Sequence, residues 1–334
     1  TNYKRKNMAD QRNQVNIPAT LVPKVWAKKV WHEGLKDSYF DKFTALDGSN
    51  VVHKNEDLKN VKGDSVVFGL MMNLSGAGVE GNRATLTGNE EALNIYDFTV
   101  NTQLVRNAVS RFEADDQKTQ YDMLKEIKGA LKQWLSDWFD NKLITKLTTT
   151  MPNPTETVYA SAANTVSSTT ANDKLTTALI SRAKRKAMMH APKVQPIKVD
   201  GMDKYIMLVS PWAAKDLKDD AKWLAAQQNA NVRGSKNPIF TGALGEYDGV
   251  ILYEYERVSL SNGGASSANV CYNLLLGKQA ACFAVARPAK HIEQTDDYGN
   301  VAGNGIAFYG AVEKTKFNGK DYGTIQVITG GVKE

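Results

Sequence analysis

The stretch EADDQKTQYDMLKEIKGALKQWLSDWFDNKLITKLTT, residues 113–149, decides how the rest of the chain is read. Leu124, Ile127, Leu131, Trp134 and Trp138 step by three and four, and Ala130, Leu135 and Phe139 widen the stripe. That period belongs to a helix with one broad buried face. Asp115, Asp116 and Asp122 load its N-terminal end and Lys142 and Lys146 the other, as the helix dipole favours; Pro152 and Pro154 end it. At about 1.5 Å per residue such a helix runs roughly 50 Å. The stripe alone suits a coiled coil, a bundle core or a strut laid on a sheet, so the flanks must choose.

Upstream the chain is extended. Ser65–Leu74 (SVVFGLMMNL) and Ala92–Val105 (ALNIYDFTVNTQLV) read as two long strands, with Leu93, Ile95, Phe98, Val100 and Leu104 alternating imperfectly with polar residues. A Gly-rich connection, Gly76–Glu91, joins them. A ribbon of two strands buries too little surface to stand alone, so it needs a partner, and another subunit is a natural one. Gly76, Gly78 and Gly81 spell G-x-G-x-x-G after a strand. The dinucleotide reading requires a helix to begin there, with its amides on the pyrophosphate. Residues 82–89 (NRATLTGN) show no helical stripe, and a second strand follows. The glycines are therefore read as the tip of the ribbon, supplying positive φ.

Downstream, Thr155–Thr170 is a Ser/Thr/Ala-rich connection, and Asp173 caps a helix reaching Met189 with Leu175, Leu179, Ile180, Ala183 and Ala187 inward. Its outer Arg182, Lys184, Arg185 and Lys186 lack an interleaved aromatic platform and are read as a solubilising face. Strand Tyr205–Val209 hands over to a helix marked by Ser210 at N-cap and Pro211 at its first position. Val250–Tyr255 and Val270–Leu276 read as strands, and the Ala-rich Gln279–Arg287 as a short helix. Residues 173–289 thus form one α/β lobe. Ile306–Lys314 and Thr324–Ile328 are strands without a sheet of their own, expected to return and lie beside the long helix. At the other end, residues 1–16 form a polar arm carrying Lys4, Arg5, Lys6 and Arg12, followed by a short helix over Pro23–Lys36.

Composition sets bounds on function. The 334 residues carry 42% hydrophobic and 23% charged side chains, ordinary for a folded chain and long for one core. The longest apolar runs are too short to span a bilayer, and no secretory segment opens the chain. It begins at Thr1 without Met, as after processing or trimming. Cys271 and Cys282 read as small core residues. A net charge of +6 permits a polyanion partner without arguing for one. Chemistry is sparse. His32-Glu33 opens a zinc-type motif that fails at Lys36, and His53, His190 and His291 have no ligand spacing. Gly277-Lys278 lacks the rest of a phosphate loop, and Asp219-Asp220 and Asp296-Asp297 sit in polar surroundings with nothing to split their pKa values. No catalytic residue, cofactor site or metal site is assigned, which points to a structural protein and not an enzyme.

Four segments then carry a resemblance: Ile17–Trp31 (IPATLVPKVWAKKVW), Ile239–Val250 (IFTGALGEYDGV), Asn273–Ala281 (NLLLGKQAA) and Lys314–Thr329 (KTKFNGKDYGTIQVIT). Together, in this order, they resemble tailed-bacteriophage major capsid proteins of the group typified by the podovirus N-four coat protein. The resemblance implies an α+β Johnson-type capsid fold. Residues 1–46 would be the N-terminal arm and 47–107 the two-stranded extended loop. Residues 108–172 and 290–334 would form the peripheral domain, with 113–149 as its spine helix, and 173–289 the axial domain. It further implies self-assembly into hexamers and pentamers of an icosahedral virion shell around double-stranded DNA. Portal, scaffolding and decoration proteins would be further partners, and no membrane is implied. Lys4, Arg5 and Lys6 are candidates for inward contact with DNA, and Gly76, Gly78 and Gly81 for an intersubunit tip. Deleting 76–89 should leave a soluble, assembly-defective subunit. Two alternatives are an encapsulin-like compartment of the same fold and a dinucleotide-binding enzyme using residues 76–81.

Overall fold

The computed structural model describes residues 38–331, apart from 60–62, 72–73, 75, 82–84, 115–122, 149–155, 163, 230–243 and 259. The arm with Lys4, Arg5 and Lys6, the expected helix over 23–36 and Asp115, Asp116 and Asp122 lie outside the described residues.

The long helix is present as α1, Met123–Thr148. Ile127, Leu131, Leu135, Phe139, Leu143 and Leu147 return every fourth residue and are buried, so one narrow ridge faces the core. Ala130, read as part of the stripe, is exposed. Trp134 and Trp138 flank the ridge half-buried and pack against that core.

Two sheets meet at this helix. The first has the order β1 (Thr44–Ala45), β2 (Val52–Asn55), β13 (Ala281–Asp296), β14 (Val301–Lys314), β5 (Gln103–Phe112). Phe139 of α1 meets Phe283 of β13 at 4.8 Å between ring centroids, and Trp138 meets Phe308 of β14 at 5.7 Å. The second sheet runs β6 (Thr157–Tyr159), β17 (Thr324–Gly331), β12 (Asn269–Leu276), β8 (Met202–Val209), β10 (Val250–Glu254), β9 (Gly245–Tyr247). Both of its faces are covered, so β8 reads as a continuous apolar run. Ile206, Leu208, Leu274 and Leu276 join the core under α1. Tyr205, Met207, Val209 and Leu275 face α2 (Thr177–Met189) and α3 (Pro211–Lys218) on the other side. The helix is therefore a strut between sheets and not a coiled-coil strand.

Several expectations change. Gln279–Arg287 is not helical: Ala281 begins β13. Its alanines are explained by close cover on both faces, since Ala281, Phe283 and Val285 turn to the α1 core while Cys282 and Ala284 turn to a separate cluster with Val66, Phe68 and Val100. Tertiary contacts override the helix preference of Ala here. β14 lies along the long helix, whereas Thr324–Ile328 belongs to β17, which inserts between β6 and β12 of the second sheet and meets that helix at its end, where Gln326 Nε2 donates to the Thr148 carbonyl at 3.5 Å. Ala92–Val105 divides at Thr102 into β4 (Ile95–Asn101) and β5, which belong to different sheets. The cap of α2 is Thr176, whose hydroxyl accepts from the Leu179 amide, and not Asp173. The helix after Ser210 breaks into α3 and α4 (Ala221–Asn229), and Asp220 at the break accepts from the Lys222 amide at 3.0 Å. Its other oxygen takes the Thr177 amide and hydroxyl at 2.9 and 3.0 Å.

Candidate assembly surface

β3 (Ser65–Met71) and β4 pair antiparallel, from Ser65 opposite Asn101 to Met71 opposite Ile95. The period-2 pattern divides the ribbon into two faces. Val66, Phe68, Phe98 and Val100 turn inward onto Cys282, Ala284 and Ala311 of the first sheet. Phe98 reaches Phe317 at 6.3 Å and Phe68 reaches His53 at 5.3 Å between centroids. Thr102 closes the base, its amide and hydroxyl both donating to the Asp64 carbonyl at 2.8 Å. The outward face bears Val67, Met71 and Ile95, exposed by 61%, 62% and 63%. Leu74, Leu86 and Leu93 continue this apolar exposure along the loop beyond. Single exposed apolar residues are ordinary, but a contiguous set on one ribbon marks a contact surface.

Gly76, Gly78 and Gly81 all lie in the loop between these strands. Gly78 and Gly81 have φ of +71° and +88°, as a turn requires. Gly76 is not in that region; its amide donates to Glu91 Oε2 at 2.8 Å, and a Cβ there would stand 2.7 Å from the same oxygen. No helix follows the glycines among the described residues, and β4 runs antiparallel to β3. A dinucleotide site of this type needs a parallel strand–helix–strand unit, so that alternative is withdrawn.

A second uncovered surface is the far end of the first sheet, where β13 and β14 extend past α1 to the turn at Asp297–Gly299. Val109 and Phe112 of β5, Ile292 of β13 and Tyr298 at the tip are exposed there. Asp296 and Asp297, adjacent in sequence, sit at this tip and are not gathered with any third acidic or imidazole group.

Sequence reasoning missed two polar devices that fix these surfaces. Asp140, buried on α1, receives the Ser38 hydroxyl at one oxygen and the Tyr39 amide, at 3.0 Å, at the other. Burial raises the Asp140 pKa above the usual carboxylate range, with these donors opposing it. Tyr39 stacks on Tyr255 at 4.4 Å, and burial holds both phenols well above their ordinary range. Ser38 and Tyr39 are thereby tied to the long helix. The signal for Asp140 was a carboxylate on the buried side of an amphipathic stripe.

The second device is a buried ionic cluster. Lys314 Nζ, at the end of β14, lies 2.6 Å from Asp321 Oδ2, and the two side chains are 2% and 0% exposed. The Asp321 amide donates to Glu156 at 3.1 Å, and the same Glu156 oxygen is 3.8 Å from His190 Nε2. Burial pushes Asp321 up to about 6 and lowers Lys314, while the bond to Glu156 raises His190. This cluster links the β15 (Lys316–Phe317) and β16 (Lys320–Asp321) hairpin to the end of α2.

Cys271 and Cys282 are buried and free, as read from sequence, and burial pushes the Cys282 thiol up to about 11. Among the described residues no group of three His, Cys, Asp or Glu side chains is placed to hold a metal. No helix among them is long and apolar enough to cross a membrane.

Comparison with known proteins agrees with this architecture. A family model described as phage capsid protein matches residues 20–332. The major capsid protein of Pseudomonas phage KPP25 is 25% identical over 354 residues, covering 91% of this chain and 93% of that protein. The capsid of Ralstonia phage GP4 superposes with a TM-score of 0.79 at 25% identity, over 100% of this chain and 98% of that one. The capsid asymmetric unit of cyanophage Pam1 gives a TM-score of 0.80 at 21% identity, with 100% of both chains covered, and so shares the fold.

Proposed function

We infer, for a chain that belongs to the phage capsid protein family, that its work is that of a major capsid protein, building the shell of the virion. Its fold is the Johnson-type capsid fold expected from the sequence. The finer reading is ours. Copies close into hexamers and pentamers, because head-to-tail contacts form rings when the rotation closes. The shell they form encloses the double-stranded DNA of a tailed phage. Portal, scaffolding and decoration proteins are its partners, and Lys4, Arg5 and Lys6 reach inward to DNA. The chain performs no catalysis.

The observation that carries this reading is the ribbon. Its inward face is satisfied within the subunit, whereas Val67, Met71 and Ile95 have no cover among the described residues. Laid on a neighbouring copy, such a ribbon contributes to contacts that in obligate assemblies bury roughly 2,000 Å² or more. The test is the pair of substitutions Met71→Asp and Ile95→Asp on full-length chain. The parent should give closed shells in negative-stain microscopy, and the variant a folded subunit, by circular dichroism, that stops at small oligomers. Normal shells from the variant would overturn the assignment of this face. For the arm, unchanged genome retention after Lys4, Arg5 and Lys6 become Ala would remove the inward DNA contact.

A further inference from the structure

The outer face of α2 does more than solubilise. Lys184 fits the solubilising role, since it is paired with Asp248 at 2.8 Å. One step around the helix the arrangement differs. Arg182, Arg185, Lys186 and Met189, spaced along one stripe, form a wall of a cleft of about 410 Å³. His190, Ala191 and Lys320, the last from the β15–β16 hairpin, complete it. No carboxylate lines this cleft. Among the described residues, Arg182 and Arg185 make no ion pair, although other cations of the chain find partners: Lys204 with Glu246, Lys146 with Glu313, Arg257 with Asp137. Lys186 and Lys320 are held in position by neutral carbonyls, of Thr157 at 2.6 Å and Ala191 at 3.3 Å, which orient the ammonium groups without cancelling their charge.

Like charges are thus crowded, with the buried Glu156 carboxylate behind His190 offsetting them only in part. Lys186 is lowered by burial and by Arg182 beside it, against Glu156, and His190 is raised chiefly by its bond to Glu156, against Lys320. Crowding like charges on a helix face is destabilising, so an anion seated between them relieves a cost the free subunit bears. Guanidinium groups match bidentate oxyanions, and two of them flanked by two ammonium groups fit adjacent phosphates on a polymer. The lining has no Phe, Tyr or Trp ring on which a base could stack, and its imidazole, His190, is buried against Glu156 and the Pro192 carbonyl, so backbone contact is favoured over recognition of single strands.

We propose that the cleft between Arg182, Arg185, Lys186 and Lys320 seats backbone phosphates of double-stranded nucleic acid. The proposal rests on the shell reading only for the source of that nucleic acid.

The experiment titrates a labelled 20-base-pair duplex with purified full-length chain, followed by fluorescence anisotropy across a salt series. Parallel titrations use poly-L-glutamate as the probe. The variants are Arg182→Ala with Arg185→Ala, the charge-keeping Arg182→Lys with Arg185→Lys, and Lys290→Ala as an exposed control. Each phosphate contact removed lowers the slope of log affinity against log salt by about 1, so the double alanine variant should lose about 2. The double lysine variant should keep most of the slope and the control all of it. An unchanged slope in the alanine variant overturns the proposal. So does a loss of duplex binding in the lysine variant as large as in the alanine variant, which would report a disturbed helix. Selective loss of poly-L-glutamate binding, with the duplex unaffected, would overturn it in favour of an acidic protein segment. Microscopy of the same preparations keeps the two readings apart: shells with no change in slope reject the cleft alone, and absence of shells from the parent rejects the shell reading alone.

Discussion

Replacing Lys314 by Met removes the charge opposite Asp321 while keeping an unbranched stem in the buried site. The cost should depend on pH, and the structure gives its direction. Asp321 titrates near 6 in the folded chain against 3.8 for the free side chain, chiefly because it is buried, and Lys314 is the principal group holding it down. A carboxyl raised in the folded state contributes most stability below its unfolded pKa and loses it as pH climbs toward the folded one. Without Lys314 that climb continues above 6. Near pH 5 the carboxyl is protonated in parent and variant alike, and the parent then bears a buried ammonium without its counter-charge, which Met removes. Each further unit above 6 costs the variant about 1.4 kcal/mol relative to the parent until its own folded pKa is reached. By pH 8 the added gap reaches at most about 3 kcal/mol, the lower end of the cost of stripping one partner from a buried pair. Urea unfolding of unassembled chain, followed by tryptophan fluorescence at pH 5.5 and pH 8, measures both gaps. A gap that is equal at the two pH values, or smaller at pH 8, would refute the reasoning.

Two further expectations concern packing and capping. A Cβ on Gly330 would meet the Thr170 carbonyl oxygen at 1.9 Å, whereas one on Gly69 meets nothing within 4 Å. Gly330→Ala should therefore destabilise by about 2–3 kcal/mol and Gly69→Ala stay within about 0.5, as thermal melting would show. Ser210 accepts the Ala213 amide at 3.2 Å at the start of α3 and is fully buried. Ser210→Ala should cost about 1 kcal/mol and Ser210→Thr much less, read as shifts in the urea midpoint.

What the sequence disclosed is what local pattern encodes. The ridge of α1, the alternating ribbon, the buried β8 and the Ser210-Pro211 start follow from spacing and capping chemistry. What it hid depends on partners distant in the chain. Residues 281–287 look helical because Ala favours helices, yet those alanines are small because α1 and the ribbon press on both faces. Thr324–Ile328 reads as a strand without a sheet, because an apolar run says that a strand is buried but not beside what. The pairing of Lys314 with Asp321 has no signature, since six residues and a turn separate two side chains of ordinary polar types. The basic cleft was half legible. Its helical stripe is written in residues 182–189, but Lys320 arrives from a hairpin more than a hundred positions later.

The place of β17 has a consequence for how subunits are made. It is the last of the strands in the sequence, yet it sits inside the second sheet, between β6 and β12, and not at an edge. A ribosome adding roughly 5–20 residues each second exposes β6, β8, β10 and β12 well before it reaches residue 324. Until then β6 has no neighbour and β12 keeps an open edge. A nascent chain cut short before that point lacks a strand from the middle of its sheet, so β6 and β12 are left without the neighbour that joins them.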